Sequence, residues 1–254
     1  MIRRRPLLAC TLALASGVAT AGETLRTVAQ AGMSLKFNLG GDGPPGFCVD
    51  YIRALQRMDT GLQFNGLDEA LPLMRIESDL AAERIDLFFA LLKTRKRAAR
   101  FRFVDAPALY NVRHQVAVRA DDPIDVRGFD DIRALGADGV ILATRASAYQ
   151  SFLAEQPGLI VDAGAAEPAQ NLRKLIGGRG RFFYQADATL RHVIDAEGLQ
   201  GRVRILPVVF RADSQLLTHA PGLAPERLAR VVAAMRALEA NGMAAQLRAA
   251  YGLL

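Results

Sequence analysis

Short apolar runs alternate with longer amphipathic segments along the chain, and this alternation predicts a mixed α/β fold. The short runs are rich in Val, Ile and Phe, which favour β-strands, whereas the longer segments repeat their apolar residues with helical spacing. The predicted strands are Ser34–Leu39, Leu62–Asn65, Ile85–Leu91, Gln115–Val118, Val140–Ala143, Leu159–Val161, Phe182–Tyr184 and Arg202–Leu206. The predicted helices are Phe47–Met58, Ala70–Ala82, Ala148–Glu155, Ala169–Ile176 and Asp187–Glu197. Because helices separate the strands, the order predicts parallel sheets.

The last part of the chain predicts two closing helices. Pro225 stands at a first helical turn, and Asn241-Gly242 ends that helix before a second, shorter one. Two extended segments, Val112–Pro123 and Arg204–Leu217, come earlier and predict strands that cross out of a first lobe and back into it. The same segments are compatible with edge strands of a single domain, and periodicity alone does not separate the two alternatives.

Residues 1–21 have the organisation of a secretory signal peptide. A run of arginines at 3–5 precedes an apolar stretch at 7–18, and Ala19-Thr20-Ala21 matches a cleavage site. The apolar stretch has about 12 residues, whereas a helix needs roughly 20 to span a bilayer. We therefore expect cleavage after Ala21 and a periplasmic protein, not a membrane anchor. The sequence "LLAC" before Cys10 leaves lipidation as an alternative.

Cysteine usage limits how the fold is stabilised. Cys10 would leave with the signal peptide, so Cys48 would be the only cysteine and no internal disulfide could form. Cys48 lies in an apolar helical stretch, which favours an inert, buried side chain over a reactive thiol. Packing must therefore supply the stability.

The charge of the chain narrows the classes of partner. The formal net charge is +6, from 32 Lys and Arg against 26 Asp and Glu. A moderate positive field suits small anionic solutes and does not require nucleic acid. The basic run "KTRKRAARFR" contains interleaved Phe residues, but an exported protein does not meet chromosomal targets, so we expect no nucleic-acid partner.

The segment "GDGPPG" at 41–46 has the glycine spacing of a dinucleotide-binding turn, G-x-G-x-x-G. Such a turn aims backbone N–H groups at a pyrophosphate. Pro44 and Pro45 have no N–H group and hold the chain extended. We therefore expect a rigid, shortened rim before the first helix, and no nucleotide cofactor.

Four segments resemble, in the same order, blocks of the family 3 extracellular solute-binding proteins. "GFCVDYIRAL" is similar to the start of their first helix. "LPLMRIESDLAAERIDLFFALLKTRKRAARFRFVDAPALY" is similar to their next block, which includes a T-x-x-R motif. "VILATRASAYQSFL" resembles their second-lobe strand and helix entry, and "LEANGMAAQLRAAYG" their closing helix. The likeness covers nearly the whole chain after residue 21.

The resemblance implies a two-lobed type 2 periplasmic-binding-protein fold of the α/β class, with two hinge crossings. It implies a first lobe at residues 22–116 and 211–254 and a second lobe at residues 117–210. Proteins of this family capture a small solute between the lobes and deliver it to an ABC permease. The resemblance therefore implies a monomer whose partners are a small-molecule solute and a membrane complex, with no cofactor, no metal and no catalysis.

The T-x-x-R motif supplies the first candidate site residues, Thr94 and Arg97. The resemblance implies that Arg97 holds a ligand carboxylate, and the planar guanidinium suits this because it can donate two parallel charge-assisted bonds. The alternative is that Arg97 belongs to a solvated face, because residues 93–102 are rich in basic side chains.

The second lobe supplies the remaining candidates. Thr144 and Ser147 lie between a strand and a helix, where free N–H groups can bind an anion, although Ser147 is equally suited to capping that helix. Tyr184 and Gln185 could line the cleft. Asp187 is the nearest acid that could hold a ligand amine, as in the family, but it also opens a helix and could merely cap it.

Some positions depart from the family pattern. Ala90-Leu91-Leu92 replaces the hydroxyl residues of the amino-acid binders, which argues against a standard α-amino-acid site. The aromatic-bearing loop before the first helix is cut down to "GGDGPPG", so an aromatic lid would come from Phe37, Phe47 or Tyr110. The chain has no Trp.

Three functions remain open from the sequence. The first is capture of a small polar, amino-acid-like or carboxylate-bearing solute for transport. The second is an enzyme on the same fold, such as a dehydratase or lyase, although the histidines His114, His192 and His219 form no recognisable catalytic motif. The third is a partner that presents its ligand-bound form to a membrane sensor.

Overall fold

The computed structural model describes residues 23–253. The predicted signal peptide, its cleavage site and Cys10 lie outside the described residues.

The described chain alternates strands and helices throughout. The strands are β1 (Glu23–Arg26), β2 (Ala29–Gln30), β3 (Leu62–Asn65), β4 (Ala70–Leu71), β5 (Leu87–Leu92), β6 (Arg102–Val104), β7 (Tyr110–Arg119), β8 (Ile141–Leu142), β9 (Val161–Asp162), β10 (Phe182–Ala186), β11 (Val203–Ile205) and β12 (Arg211–His219). The helices are α1 (Phe47–Met58), α2 (Leu73–Ala81), α3 (Arg95–Ala98), α4 (Phe129–Ala134), α5 (Ala148–Ala154), α6 (Pro168–Ile176), α7 (Asp187–Ala196), α8 (Pro225–Ala240) and α9 (Met243–Ala250).

The order of the elements agrees with the pattern in the sequence, and the differences have local causes. Helix α2 begins later than predicted because Pro72 precedes its first turn, while Ala70–Leu71 forms β4 instead. The short helices α3 and α4 were not predicted. Pro225 lies in the first turn of α8, and Gly242 separates α8 from α9 in the left-handed conformation, as the sequence predicts.

Two long strands, β7 and β12, connect two groups of elements. Their first halves pair antiparallel, from Tyr110 opposite Gln215 to His114 opposite Arg211. Strand β12 then continues onto β5 and β6, whereas β7 continues onto β10 and β11. We call the group around β5 the first lobe (β1–β6, α1–α3, α8 and α9) and the group around β10 the second lobe (α4–α7 and β8–β11).

The prediction of parallel sheets holds within the lobes and is wrong at the crossing strands. The pairs β1–β3, β2–β4, β8–β9 and β8–β10 are parallel. Strands β7 and β12 are antiparallel to every described strand that they pair with. Neighbouring parallel strands are joined by a crossover connection, which is usually a helix. Strands β7 and β12 instead run directly from one lobe to the other.

The strand β10 organises the core of the second lobe. All its residues are buried, as expected for a strand covered on both faces. Phe183 packs in a cluster with Leu172 of α6 and Leu190 of α7, whereas Phe182 and Tyr184 point to the opposite face and join the larger core.

Helix α1 anchors the first lobe and has the predicted bounds. Phe47, Tyr51 and Leu55 repeat along one face and are fully buried, and the helix packs against α8 and α9. Cys48 is buried beside them, and burial raises the pKa of its thiol to about 12. The prediction of an inert, buried thiol is confirmed.

The predicted strand Ser34–Leu39 is wrong, because this segment is a turn. The backbone N–H groups of Lys36 and Phe37 both donate to the carbonyl oxygen of Met33, at 2.9 Å each. Leu35 and Phe37 are buried, so the apolar alternation reflects burial of the turn and not an extended strand. The first described strand is instead β1, which lies parallel to β3.

The loop before α1 is longer than the sequence suggested, because it runs from the end of β2 through residues 31–46. Its last part is held by Asn38, whose Nδ2 donates to the carbonyl oxygens of Asp42 and Pro44, at 3.0 Å each. Gly46 closes the loop with φ 98°, and a Cβ at this position would lie 2.5 Å from the carbonyl oxygen of Lys36. The backbone of Gly46, at the end of the loop, therefore packs against the backbone of Lys36 in its earlier part.

This close approach predicts that Gly46→Ala destabilises the protein more than Gly43→Ala. Both glycines have positive φ, but a Cβ at Gly43 would meet nothing within 4 Å. The left-handed backbone alone should cost about 1–2 kcal/mol, and the clash at Gly46 should add about 1–3 kcal/mol. The free energies of unfolding in urea measure the difference. Equal losses would contradict a rigid contact between Gly46 and Lys36.

Candidate functional site

A cavity of about 170 Å³ lies between the two lobes and is lined by both. The first-lobe wall comes from the loop after β2, the start of α2, the end of β5 and α3. The second-lobe wall comes from the loop between β8 and α5, the loop before α6, and the end of β10. The size of this central cavity suits a small solute.

The structure brings four of the predicted site residues together in the central cavity. Arg97, Thr144, Ser147 and Gln185 all line it. Thr94, Tyr184 and Asp187 lie near these residues in sequence, but none of the three lines the cavity.

Arg97 is buried, with 4% of its surface exposed, and an acid of its own lobe already holds it. Its Nε and Nη2 donate to Oε1 of Glu77 at 3.0 and 2.8 Å, and its Nη1 donates to the carbonyl oxygen of Leu92 at 2.8 Å. An arginine has five N–H donors, so two of them have no acceptor among the described residues. Arg97 therefore does not lie on a solvated face, and its charge is paired with Glu77.

Thr94 supports Arg97 from outside the central cavity. Its hydroxyl oxygen accepts a hydrogen bond from the backbone N–H of Arg97 at 3.2 Å and so caps α3. Thr94 lines a neighbouring cavity of about 370 Å³ instead. Its observed contact is therefore structural.

The hydroxyl groups of the second-lobe wall are engaged in local hydrogen bonds. Ser147 Oγ accepts from the backbone N–H of Gln150 at 3.2 Å and donates to the carbonyl oxygen of Thr144 at 2.6 Å, so it caps α5. Gln185 Nε2 donates to Thr144 Oγ1 at 3.4 Å. The neighbouring Ala146 has φ 57°, a strained value for a residue with a side chain. These contacts hold the Thr144–Ser147 turn in one shape.

Asp187 is satisfied within the second lobe and the hinge. It accepts from the backbone N–H of Arg113 at 3.2 Å and from Arg113 Nε at 3.1 Å, and Arg191 lies 3.4 Å away. Burial by itself raises the pKa of Asp187, but these hydrogen bonds outweigh it and hold the pKa below its usual value. The acid that the sequence singled out for a ligand amine is thus already paired.

Tyr184 belongs to an aromatic cluster on the other side of β10. Its hydroxyl lies 3.0 Å from Nδ1 of His114, and its ring packs against Phe152 and Phe210. Burial lowers the pKa of His114 to about 4, so the imidazole is neutral near pH 7. Tyr184 therefore supports the hinge strand and does not reach the central cavity.

The aromatic residues suggested as a lid are part of the core. Phe37 stacks on Phe88 with ring centroids 5.9 Å apart, and Phe47 and Tyr110 pack edge to face at 5.1 Å. All are buried. The aromatic side chain that lines the central cavity is Tyr149 of α5, which the sequence analysis did not identify.

Lys36 is a cavity-lining cation that sequence reasoning missed. It is 6% exposed, and its Nζ donates to the carbonyl oxygen of Ala90 at 2.7 Å. No carboxylate of a described residue lies within salt-bridge distance of it. Burial lowers its pKa to about 8, and the nearby charge of Arg97 contributes to the shift. The sequence does not indicate this burial. Lys36 lies in a segment that the sequence predicts as a strand, and most lysines are exposed.

The carbonyl that holds Lys36 belongs to a strained residue. Ala90 has φ 63°, at a point where the pairing of β5 with β12 shifts register between Leu216 and Thr218. Such a bulge places one residue in the left-handed conformation and redirects its carbonyl. Ala90, which departs from the family pattern in sequence, thus contributes through its backbone.

Two further cavity-lining groups can accept hydrogen bonds. Gln215 of the hinge strand is 4% exposed, and its Oε1 has no partner among the described residues. Glu167, before α6, is half-buried and forms no ion pair with any described residue. A Cβ placed on Gly32 of the first lobe would lie 2.5 Å from Glu167 Cγ, so the two lobes approach closely here. A ligand amine fits these acceptors better than it fits Asp187.

Two other features of the described residues bear on function. None of the helices in residues 23–253 is long and apolar enough to cross a membrane. Within the same residues, His, Cys, Asp and Glu side chains nowhere gather in a group of three that could hold a metal ion.

Comparison with known proteins shows the fold. No protein-family model matches the chain, and no curated protein matches it. A histidine kinase sensor domain with similarity to periplasmic binding proteins matches with a TM-score of 0.77 and 22% identity, over 92% of this chain and 98% of that one. The substrate-binding protein of an amino acid ABC transporter matches at 0.73 and 17% identity, over 90% and 99%.

A third solved structure is an ancestral amino acid-binding protein, a precursor of cyclohexadienyl dehydratase. It matches with a TM-score of 0.75 and 16% identity, over 90% of this chain and 95% of that one. The chain therefore has the α/β, two-lobed type 2 periplasmic-binding-protein fold with two hinge crossings, as the resemblance implied. At these identities the comparisons establish the fold and leave the ligand open.

The environment of Lys36 predicts a specific pH dependence of stability. A lysine whose folded pKa is about 8 and whose unfolded pKa is about 10.4 destabilises the folded state fully below pH 8. The penalty is relieved as the pH rises from 8 to about 10.4, because only the unfolded chain still binds the proton. Relative to Lys36→Met, the wild type should gain up to about 3 kcal/mol over this range.

The measurement is urea unfolding of both proteins between pH 7 and 10. Both proteins carry Cys48→Ala, because the charge of Lys36 also acts on the pKa of the Cys48 thiol and the two titrations would otherwise overlap. A difference that stays constant with pH would mean that Lys36 is solvated or paired.

Proposed function

We propose that the protein captures a small amino-acid-like or carboxylate-bearing solute in the central cavity and delivers it to an ABC permease. The observation that carries this proposal is the make-up of the cavity wall. Two buried cations of the first lobe, Lys36 and Arg97, line the same small cavity as a carboxylate of the second lobe, Glu167. The second lobe also contributes the exposed Arg145, so the wall carries both charges and suits a solute that carries both charges.

The proposed lobe boundaries are residues 22–116 and 211–254 for the first lobe and residues 117–210 for the second. The paired strands β7 and β12 would act as the hinge, and closure would bring the Thr144–Ser147 turn onto a solute held by the first lobe. The hydrogen bond between Ser34 Oγ and His192 Nε2, at 2.8 Å, joins the lobes and supports a closed arrangement.

The proposed contacts with the solute use donors and acceptors that have no partner among the described residues. Arg97 would use its two remaining N–H donors on a carboxylate, while Glu167 and Gln215 would accept from an amine. Asp187, proposed from the sequence for the amine, already accepts from Arg113, so Glu167 is the better candidate. Thr94 and Tyr184, which do not line the central cavity, would shape the site without touching the solute.

The proposed location is the periplasm, with residues 1–21 as a cleaved signal peptide, and the proposed state is a monomer without cofactor or metal. The type 2 periplasmic-binding-protein fold usually works outside the cytoplasm. Micromolar capture requires a binding free energy of about −8 kcal/mol, which one charge pair, several hydrogen bonds and apolar burial can supply.

Two other functions have support from particular neighbours. Similarity to a histidine kinase sensor domain supports a role in signalling, in which the protein would present its solute to a membrane sensor. The ancestral amino acid-binding protein is a precursor of a dehydratase, so an enzyme on this fold is the second alternative, with Glu167 as the candidate acid or base. Copurification with a receptor ectodomain would support the sensor function. Conversion of a bound solute, detected by mass spectrometry, would support the enzyme.

Transport predicts that one class of small solute raises the melting temperature and binds with micromolar affinity. A thermal-shift screen of amino acids, carboxylates, amines and opines, followed by calorimetry, tests this. If none of these compounds binds, solute capture for transport is wrong.

Removal of Arg97 should weaken binding of the solute found in that screen. We compare Arg97→Ala with the parent protein in a Glu77→Gln background, so that no unpaired carboxylate remains where the ion pair stood. The dissociation constant should rise 10-fold or more, because loss of a buried charge contact costs about 2–5 kcal/mol. The control is Arg95→Ala, an exposed arginine of the same helix outside the central cavity. An affinity within twofold of the parent would exclude a contact with Arg97.

A further inference from the structure

The buried charges around the central cavity do not balance. Arg97 is paired with Glu77, which is itself 13% exposed and lies outside the central cavity. Lys36 has no such partner among the described residues, although it is as buried as Arg97. The buried set Lys36, Arg97 and Glu77 therefore carries one surplus positive charge. The other charged side chains of the wall, Arg145 and Glu167, are more exposed and opposite in sign.

A buried ammonium without a counter-ion is unfavourable unless something else compensates it. The carbonyl oxygen of Ala90 accepts one hydrogen bond from Lys36 Nζ. Since an ammonium has three N–H donors, two remain without an acceptor among the described residues. Lys36 lines the cavity at this point, so a bound anion can satisfy both its charge and its free donors.

We propose that Lys36 is the principal anion-binding group of the central cavity and selects a solute with two carboxylates, such as an acidic amino acid or a dicarboxylate. One carboxylate binds Lys36, and the second takes the remaining donors of Arg97. This inference rests on the proposed solute capture and names the class of solute. The charged group that selects the solute, Lys36, would then lie in the loop before α1 and not in the T-x-x-R motif.

The titration of Lys36 provides a second line of support. Its pKa is lowered to about 8 by burial, and a bound carboxylate would raise it again. The titratable and charged groups around it are Cys48 of α1, Arg97 of α3, and Tyr149, Arg145 and Glu167 on the second-lobe wall. Of these, only Glu167 can compensate a positive charge at neutral pH, and it is half-buried on the opposite lobe.

The test is calorimetry at pH 7 with the dicarboxylates L-glutamate, L-aspartate and succinate against L-glutamine, which is isosteric with L-glutamate, and against L-arginine. The wild type should bind at least one dicarboxylate 10-fold or more tighter than either comparison compound. Lys36→Met should lose 10-fold or more in affinity for that dicarboxylate and should no longer distinguish L-glutamate from L-glutamine. The control Lys96→Met removes an exposed lysine outside the central cavity and should bind as the wild type does.

A second readout does not depend on the absolute affinity. At pH 8, where a group with a pKa of about 8 is half protonated, binding of the dicarboxylate should take up roughly half a proton. Calorimetry in two buffers of different ionisation enthalpy measures this uptake, and Lys36→Met should abolish it. A melting transition in the absence of solute establishes that the variant is folded.

The outcomes separate this inference from the proposed function. If the wild type binds a neutral or cationic solute and no dicarboxylate, or if folded Lys36→Met keeps its affinity within twofold, the role of Lys36 is wrong while solute capture stands. If no compound of the broad screen binds either, solute capture is wrong as well.

Discussion

The antiparallel pairing of β7 with β12 is the constraint on which the rest of the structure depends. Each strand has one end in this shared ribbon and the other end in a different lobe, so the ribbon fixes the separation and relative orientation of the lobes. Gln215 lies in the ribbon and also lines the central cavity. Any movement of the lobes would therefore bend or twist strands that form part of the cavity wall, which would couple the proposed closure to the proposed solute contacts.

The two buried cations of the first lobe differ in their partners and therefore in their chemistry. Arg97 has a carboxylate and a carbonyl oxygen within 3.0 Å, which fix the guanidinium and cancel its charge. Among the described residues, Lys36 has one hydrogen-bond partner, the carbonyl oxygen of Ala90, whose backbone is strained. In the proposed site, the neutralised guanidinium would orient a solute and the ammonium of Lys36 would attract one. The surplus buried positive charge thus comes from the turn that contains Lys36, whose backbone lies against Gly46.

Side chains that are adjacent in sequence point in different directions at the site, because of the geometry of the backbone. Gln185 and Tyr184 are adjacent in β10, and adjacent strand residues point to opposite faces, so one lines the cavity and the other packs in the aromatic cluster. Asp187 follows them but turns toward Arg113 of the hinge strand. In each case a motif in the sequence identified a segment of the chain that lies at the cavity. It could not identify which side chain of that segment lines the cavity.

The sequence by itself determined the α/β class and the order of most elements, and the family resemblance in its motifs added the two hinge crossings and four of the side chains that line the cavity. These follow from local periodicity and from motifs, which act over a few residues. Only the tertiary structure decided that Glu77 neutralises Arg97, that Lys36 is buried without a counter-ion among residues 23–253, and that Glu167 is an acid of the cavity wall. Burial and ion pairing depend on distances between segments far apart along the chain, and no local pattern records those distances.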